Sequence, residues 1–555
     1  MKRSGAQILM EVFKEQQVDT VFGYPGGFVL NIYDELYKNA SWLRHVITCH
    51  EQGAAHAADG YARATGKTGV VIATSGPGAT NLVTGIATAH LDSVPMVAIT
   101  GNVPRNMIGR DSFQEVDIKG ITMPVTKHNY MVKDVERLAD TLREAFRIAA
   151  AGRPGPVLVD IPKDVQIDEC EFTPGAPNGK AQAKKPDSQT VKQAVELIAS
   201  SKRPFLYAGG GVVLASAGEE LVKLAEKIGA PIGTSMMGLS AVDHDYPLFL
   251  GMTGMHGRYA ASQVMDKSDL IIAVGSRFSD RATGNKIEFS KNRKVLHIDI
   301  DPAEIGKNIP AYVAMVADVK EALLALLACD LKKSDPAWLQ EVEKLNSAPD
   351  NHLTMNEKRL NPEMVIKAVN SRMAADSPVS TDVGQHQMWT AQYYSFHRPR
   401  TFITSGGLGT MGYGFGAAIG ACIGTGGRKT VLFTSDGSFH MNMNELATAV
   451  TNQLPILVVV LNNSVLGMVR QWQTMFFGKR YSSTTLNRAT DFCLLAQAFG
   501  AKGLRLDSIE KMDAVLDKAF SLPGPVVIDV RIHRDEKVLP MIPPGGTIRD
   551  MIIRG

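Results

Sequence analysis

The chain has little that would staple it, anchor it or draw it to a charged partner. Its five cysteines (Cys49, Cys170, Cys329, Cys422 and Cys493) are scattered, odd in number and free of CxxC spacing, which excludes a disulfide framework or a zinc site. Its most apolar run, residues 454–461, falls far short of the roughly 20 residues that cross a bilayer as a helix, so no membrane span is expected. A net charge of +3 over 555 residues gives no pull toward nucleic acid or a membrane surface. The N-terminus, MKRSGAQILMEVFKEQQ, is basic, but Gln7 and Glu11 interrupt any secretory apolar core. It reads as an amphipathic helix, and the expected location is the cytoplasm.

What is present is ordinary for a soluble globular chain, with 45% hydrophobic and 21% charged residues. A single core stops growing well below this length, so several domains are expected. Short β-branched runs bounded by glycine (HVIT, GVVIAT, MVAIT, PVLVDIP, LIIAVG, KVLHIDI, TVLFTS, ILVVVLNN, PVVIDV) alternate with helix-like segments from end to end. Such alternation implies an α/β fold of doubly wound parallel sheets. Two stretches break it, TPGAPNGKAQAKKPDS and the polar segment 347–358, and both read as linkers. The expected division is domains at 1–170, 190–340 and 361–555, with linkers at 171–189 and 341–360. GRPGPVLVDIP (152–162) and LPGPVVIDVR (522–531) close the first and last thirds alike, which suggests that the outer domains are related.

Chemistry begins at SDGSFHMNMNELATAV (435–450), an acid and a glycine after the strand VLFT. In isolation Asp436–Gly437 reads as a turn, and Asn462–Asn463 as another. A helix from Asn444 to about Thr451 would connect two parallel strands, so that Asp436 and the Asn pair emerge together at one carboxyl edge. Such a pair suits Mg²⁺, which takes one or two protein carboxylates and keeps positions for water and phosphate. Acid-Gly, then 24 residues (438–461), then Asn-Asn resembles the diphosphate-binding motif of thiamine diphosphate (ThDP) enzymes.

A second carboxylate, Glu51, lies between the strand HVIT and a helix of small residues, HEQGAAHAADGYARATGK. It either favours a helix amino end or is buried among Ala and Gly toward a specific partner. The same region supplies YPGGF (24–28), TSGPGATN (74–81) and DSFQE (111–115).

Together these motifs resemble the large catalytic subunits of the acetohydroxyacid synthases, also called acetolactate synthases, over nearly the whole chain. The resemblance implies a pyrimidine-binding domain, a central FAD-binding domain and a diphosphate-binding domain, with active sites between protomers of at least a homodimer, or a homotetramer. It implies that Glu51 activates the aminopyrimidine of ThDP and that Asp436, Asn463 and the Val465 carbonyl hold Mg²⁺. By the same likeness Pro25, Gly384, Gln385, His386, Gly409, Met411, Gly437, Ser438, Gly467 and Met468 line ThDP. Gly27, Phe113, Gln114, Lys163, Met468 and Trp472 face the 2-ketoacid substrates. Structural FAD is expected on Arg153, Gly209, Gly210, Gly211, Gly254, Met255, His256, Gly275, Arg277, Arg281, Asp299 and Asp318.

The implied reaction is decarboxylation of pyruvate and ligation of the two-carbon unit to pyruvate or 2-oxobutyrate, a step of branched-chain amino acid synthesis. A ThDP-dependent decarboxylase, a pyruvate oxidase and a catalytically silent partner subunit are the alternatives. A small regulatory subunit is a further implied partner. Two residues depart from the family pattern: Phe28, where a small residue is usual, and Ser279, where an acid is common. Ser435 stands where glycine is common, which requires a backbone without positive φ.

Overall fold

The computed structural model describes residues 1–179, 183–291, 293–351 and 355–554. Residues 180–182 of the first expected linker and 352–354 of the second lie outside the described residues. Three six-stranded sheets, each with all strands parallel, follow one another along the chain. Their strands are unbroken apolar runs because helices cover both faces. In Gly69–Ala73, for example, Val71 and Ala73 join the core that contains Ala54 and Ala57, while Val70 and Ile72 join the one built on Ile8 and Leu9.

The first and last sheets share one topology. Numbered along the chain, each runs in the order 2-1-3-4-6-5, and the matched PVLVDIP and PVVIDV runs are the sixth strand of each. The central sheet runs 3-2-1-4-5-6, the order of dinucleotide-binding sheets. Both orders have a switch point, where connections leave in opposite directions and open a crevice at the carboxyl ends of the strands.

Helix Gly5–Glu15 is the amphipathic helix expected at the N-terminus, and Gln7 serves in its capping box with Ser4. The expected linkers overlap ordered elements. Glu169–Glu171 pairs antiparallel with Lys2–Ser4, Asp187 caps a helix beginning at Ser188, and helix Pro336–Asn346 runs into the second linker. Composition marks where periodicity fades and is blind to the pairing of a three-residue strand or to a single cap. Among the described residues no helix is long and apolar enough to cross a membrane.

The outer units meet through two equivalent helices, Glu51–Thr65 and Tyr413–Gly424, each following the second strand of its sheet. A Cβ on Gly416 would lie 2.8 Å from His56 Cβ, and one on Gly60 would collide with the Ala417 backbone. Only glycine permits this approach.

Candidate active site

The switch point of the last sheet lies between Val379–Thr381 and Thr430–Ser435, and the next residues are Asp382 and Asp436. Ser435 is extended (φ −121°), and its hydroxyl accepts from the Ser438 N–H, capping helix Asp436–Asn442. A separate helix, Asp436–Asn442, therefore precedes the one expected from Asn444, which runs Leu446–Thr451 after a short 3-10 turn; the serine cap outweighs the turn preference of Asp-Gly. Asp436 is only 5% exposed, and its Oδ1 has no hydrogen-bond partner among the described residues. Burial pushes its pKa up to about 6, against backbone N–H groups of Asp436, Asn463 and Gly437.

Strand register sets Ser435 beside Leu461, so the Asn pair leaves the sheet next to Asp436. Asn463 is buried, and its Oδ1 accepts from the Val465 N–H at 3.2 Å. Between them Ser464 is left-handed (φ 57°). Val465 forms an isolated antiparallel bridge with Thr485, flanked by bonds from Leu466 N to Thr484 O and from Leu486 N to Ser464 O. That pattern turns the Val465 carbonyl away from Thr485, to the side its N–H shares with Asn463. A Cβ on Gly467 would collide with Gln385 Oε1 and lie 3.0 Å from Asn463 Nδ2, so glycine leaves room for both amides.

Around this clamp His386 is buried, and burial drives its pKa down to about 3. The Ser438 hydroxyl donates to the Val383 carbonyl. Gly409 and Gly412 take φ 70° and 87° on either side of Met411. Met468 and Trp472 lie on helix Gly467–Phe476, where Trp472 Nε1 is buried without a hydrogen-bond partner among the described residues and Arg281 sits 5.8 Å from the indole centroid.

Glu51 is the first residue of helix Glu51–Thr65. It is half-buried rather than buried as the surrounding Ala and Gly suggested, because only the helix behind it is covered. Its Oε2 accepts from Asn81 Nδ2 at 2.9 Å, and its Oε1 lies 3.3 Å from where a Gly78 Cβ would be. Thr74, beside that point, accepts from the Phe28 N–H. The Phe28 carbonyl accepts from Gln166, and Lys163 lies 5.9 Å from the Phe28 ring centroid. Pro25, Gly27, Phe28, Thr74 and Lys163 thus share the carboxyl edge of the first sheet with Glu51. Gln114 is anchored there by its carbonyl, which accepts from Ser75, while the neighbouring Phe113 is 80% exposed. No hydrogen bond or ion pair joins Glu51 to Asp436 or Asn463 among the described residues of the single chain.

At the central switch point, between Pro204–Ala208 and Leu270–Val274, lies a cavity of about 1320 Å³, above the roughly 300–1,000 Å³ usual for small-molecule sites. Ten expected flavin residues line it: Arg153, Gly210, Gly211, Met255, His256, Gly275, Arg277, Arg281, Asp299 and Asp318. Gly209 and Gly254 do not. Gly209 is packed on the Gly275 carbonyl and Gly254 on the Arg281 backbone, so their lack of a side chain serves strand crossover. Arg153 is already paired with Asp301 (3.3 Å) and Glu304 (2.7 Å). Arg277 has neither a hydrogen bond nor an ion pair among the described residues, which leaves its fork free for an anion.

Three residues escaped the sequence reading. Asp382, whose pKa burial lifts to about 6, accepts from the Gly412 N–H at 2.6 Å and the Thr434 hydroxyl at 3.2 Å. An acid directly after an apolar strand, as at Asp436, was its available signal. Asn81, which holds Glu51, ends the motif TSGPGATN but was given no role of its own there, and Gln471, which holds Gln385, carried no signal.

The chain matches the thiamine pyrophosphate enzymes in three segments: the N-terminal TPP binding domain over residues 3–121, the central domain over 191–326 and the C-terminal TPP binding domain over 382–530. It is 46% identical to the acetolactate synthase isozyme 2 large subunit of Escherichia coli K12, over 99% of both chains. It is 43% identical to a probable acetolactate synthase large subunit of Methanocaldococcus jannaschii, over 99% of this chain and 95% of that one. Identity to the acetolactate synthase of Mycobacterium bovis is 46%, over 99% of this chain and 91% of that one.

Proposed function

Because the chain belongs to the thiamine pyrophosphate enzymes, and within them to the acetolactate synthase large subunits, we propose that it makes acetolactate where Glu51 of one protomer faces Asp436 and Asn463 of another. The activity is that of an acetolactate synthase, a ThDP-dependent transferase. The division into pyrimidine-, FAD- and diphosphate-binding parts follows 1–170, 190–340 and 361–555.

One observation carries the reading: Asp436 presents a buried carboxylate oxygen with no hydrogen-bond partner among the described residues, beside Asn463 at a switch point. An unpaired buried carboxylate is costly, and a divalent cation offsets that cost. Asp436 Oδ1, the Asn463 side chain and the Val465 carbonyl would hold Mg²⁺, while Gly437 leaves room for the diphosphate. Gly384, Gln385, His386, Met411, Ser438, Gly467 and Met468 would line the cofactor.

When bound, ThDP supplies the carbon nucleophile and electron sink for decarboxylation and carboligation. Glu51, oriented by Asn81, would hold a proton shared with the pyrimidine ring nitrogen. Lys163 and Gln114 would bind the 2-ketoacid carboxylate and carbonyl, and Phe113 and Trp472 would shed water from the acceptor. Pro25 and Gly27 leave the approach to Glu51 open; no atom lies within 4 Å of a Cβ placed on Gly27. FAD would occupy the central cavity without redox change, its phosphates on Arg277 and the Gly210–Gly211 backbone.

No hydrogen bond or ion pair joins Glu51 to Asp436 among the described residues of one chain, and apolar side chains stand exposed beside both, Phe113 and Ile47 on one edge, Met441 on the other. Exposed apolar surface of this kind favours assembly, so the working unit is a homodimer or homotetramer, joined by a small regulatory subunit, as the relatives' name "large subunit" suggests. The cytoplasm and branched-chain amino acid synthesis are the setting. Purified protein given pyruvate, ThDP, Mg²⁺ and FAD should form 2-acetolactate. Acetaldehyde or acetyl phosphate in its place would overturn the assignment.

A further inference from the structure

The loop 405–412, SGGLGTMG, is tied at both ends. On the C-terminal side the Gly412 N–H donates to Asp382, and the Gly412 carbonyl accepts from Asn442, six residues after Asp436 on the same helix. On the other side the ties come from the first sheet's unit. Asp92 accepts from the Gly406 N–H at 3.0 Å and the Gly407 N–H at 2.7 Å. Thr88, one helical turn earlier, pairs its hydroxyl with that of Thr410 at 2.8 Å.

Asp92 sits where local chemistry disfavours it. It caps the carboxyl end of helix Val83–Leu91, where the helix dipole opposes an anion, and its side chain is fully buried. Arg63 offsets this at 2.9 Å and is itself held by Asp59 at 2.6 Å, to which the Tyr413 hydroxyl also donates at 2.6 Å. The two glycines are demanded by the docking. A Cβ on Gly407 would lie 2.8 Å from Asp92 Oδ1, and one on Gly406 would strike Met237. A charge placed against its local preference, with three partners assembled to hold it, marks a position kept for function.

We propose that Asp92, oriented by Arg63 and assisted by Thr88, is a positioning residue that fixes the cofactor-facing turn 408–411 from outside its own domain. Between the two ties only 408, 409 and 411 lack a described bond of their own to another domain, and Gly409 bends with positive φ. Arg63 lies on the helix that begins at Glu51, so one rigid element carries the pyrimidine-side carboxylate and the brace for the diphosphate-side loop. The inference rests on the functional reading above, in which this turn contacts ThDP.

The test compares Asp92→Asn with wild type as the Mg²⁺- and FAD-loaded protein, measuring ThDP binding by titration calorimetry and hydrogen exchange across 405–412. Asparagine keeps one acceptor and loses the ion pair. ThDP should bind about ten-fold or more weakly, the size of a lost charged hydrogen bond, with faster exchange in the loop and kcat at saturating ThDP and FAD within a few-fold. If Asp92→Asn fails to fold, Thr88→Val decides, with about three-fold weaker binding expected from one neutral hydrogen bond. A lowered Tm with unchanged ThDP affinity, or wild-type exchange in both variants, would overturn the proposal. Wild-type protein that neither binds ThDP nor makes acetolactate would instead refute the function on which it rests.

Discussion

Asn462 donates its side-chain N–H to Asp529 at 2.8 Å, across the fourth and sixth strands of the last sheet. Asn102 and Asp160 make the same bond at 2.6 Å in the same strands of the first sheet. The pair is therefore scaffold shared by two related units. It also separates the two asparagines of the Asn462–Asn463 pair, since Asn462 is committed to the sheet and Asn463 is left for the edge beside Asp436.

Asp436→Asn should abolish Mg²⁺-dependent ThDP binding while leaving the cofactor-free fold at least as stable. The substitution removes a buried charge whose Oδ1 has no hydrogen-bond partner among the described residues, while an amide oxygen still accepts from the backbone N–H groups beside it, and such a change is neutral or stabilising when no bond is lost. Calorimetric titration and the melting temperature of the apo protein check the two halves separately. A lowered apo Tm would mean that the fold needs the charge itself at this position, and not an oxygen acceptor alone.

Glu51→Gln keeps the shape and the approach of Asn81 but loses the charge. Acetolactate formation should fall by about 10²-fold or more, the scale of a lost proton-transfer group, with ThDP affinity within a few-fold. Undiminished turnover would remove Glu51 from the mechanism.

Phe28 places its ring against Lys163 on the edge that holds Glu51. Phe28→Ala should widen the acceptor side and shift the product ratio toward 2-aceto-2-hydroxybutyrate by roughly ten-fold, the scale of one methylene in a pocket. Competition of pyruvate with 2-oxobutyrate in one vessel reads the ratio directly; an unchanged ratio would place Phe28 outside the acceptor site.

His56 is fully buried against Tyr413, and burial, helped by the Arg63 charge, holds its pKa down to about 3. The unfolded imidazole takes its proton near pH 6.5, so between about 6.5 and 3 the unfolded chain binds more protons and stability falls as pH falls. His56→Gln should lose some stability at pH 8 but show a shallower decline of Tm from pH 6.5 to 4. Parallel curves for the two proteins would show that His56 does not carry the acid sensitivity.

Much of this was written in the chain. Strands of the parallel sheets are legible because burial on both faces makes them unbroken apolar runs, and a right-handed connection brings Asp436 and Asn463 to one edge whatever the details between. The helix start at Asp436 was not legible, since Asp-Gly is read as a turn until the Ser435 hydroxyl is seen to cap it. Nor was the part played by Gly209, whose neighbour Gly275 is 66 residues away.

The sequence by itself determined the α/β class, the relation of the outer units and the pairing of acid with amide, because periodicity and spacing act through local geometry. Tertiary structure decided which asparagine faces the site, that Glu51 stays half-open within one chain, and that Asp92 braces a loop more than 300 residues away. Those outcomes depend on partners distant in sequence, and an acid at a helix end looks the same whether its partner is water or the backbone of another domain.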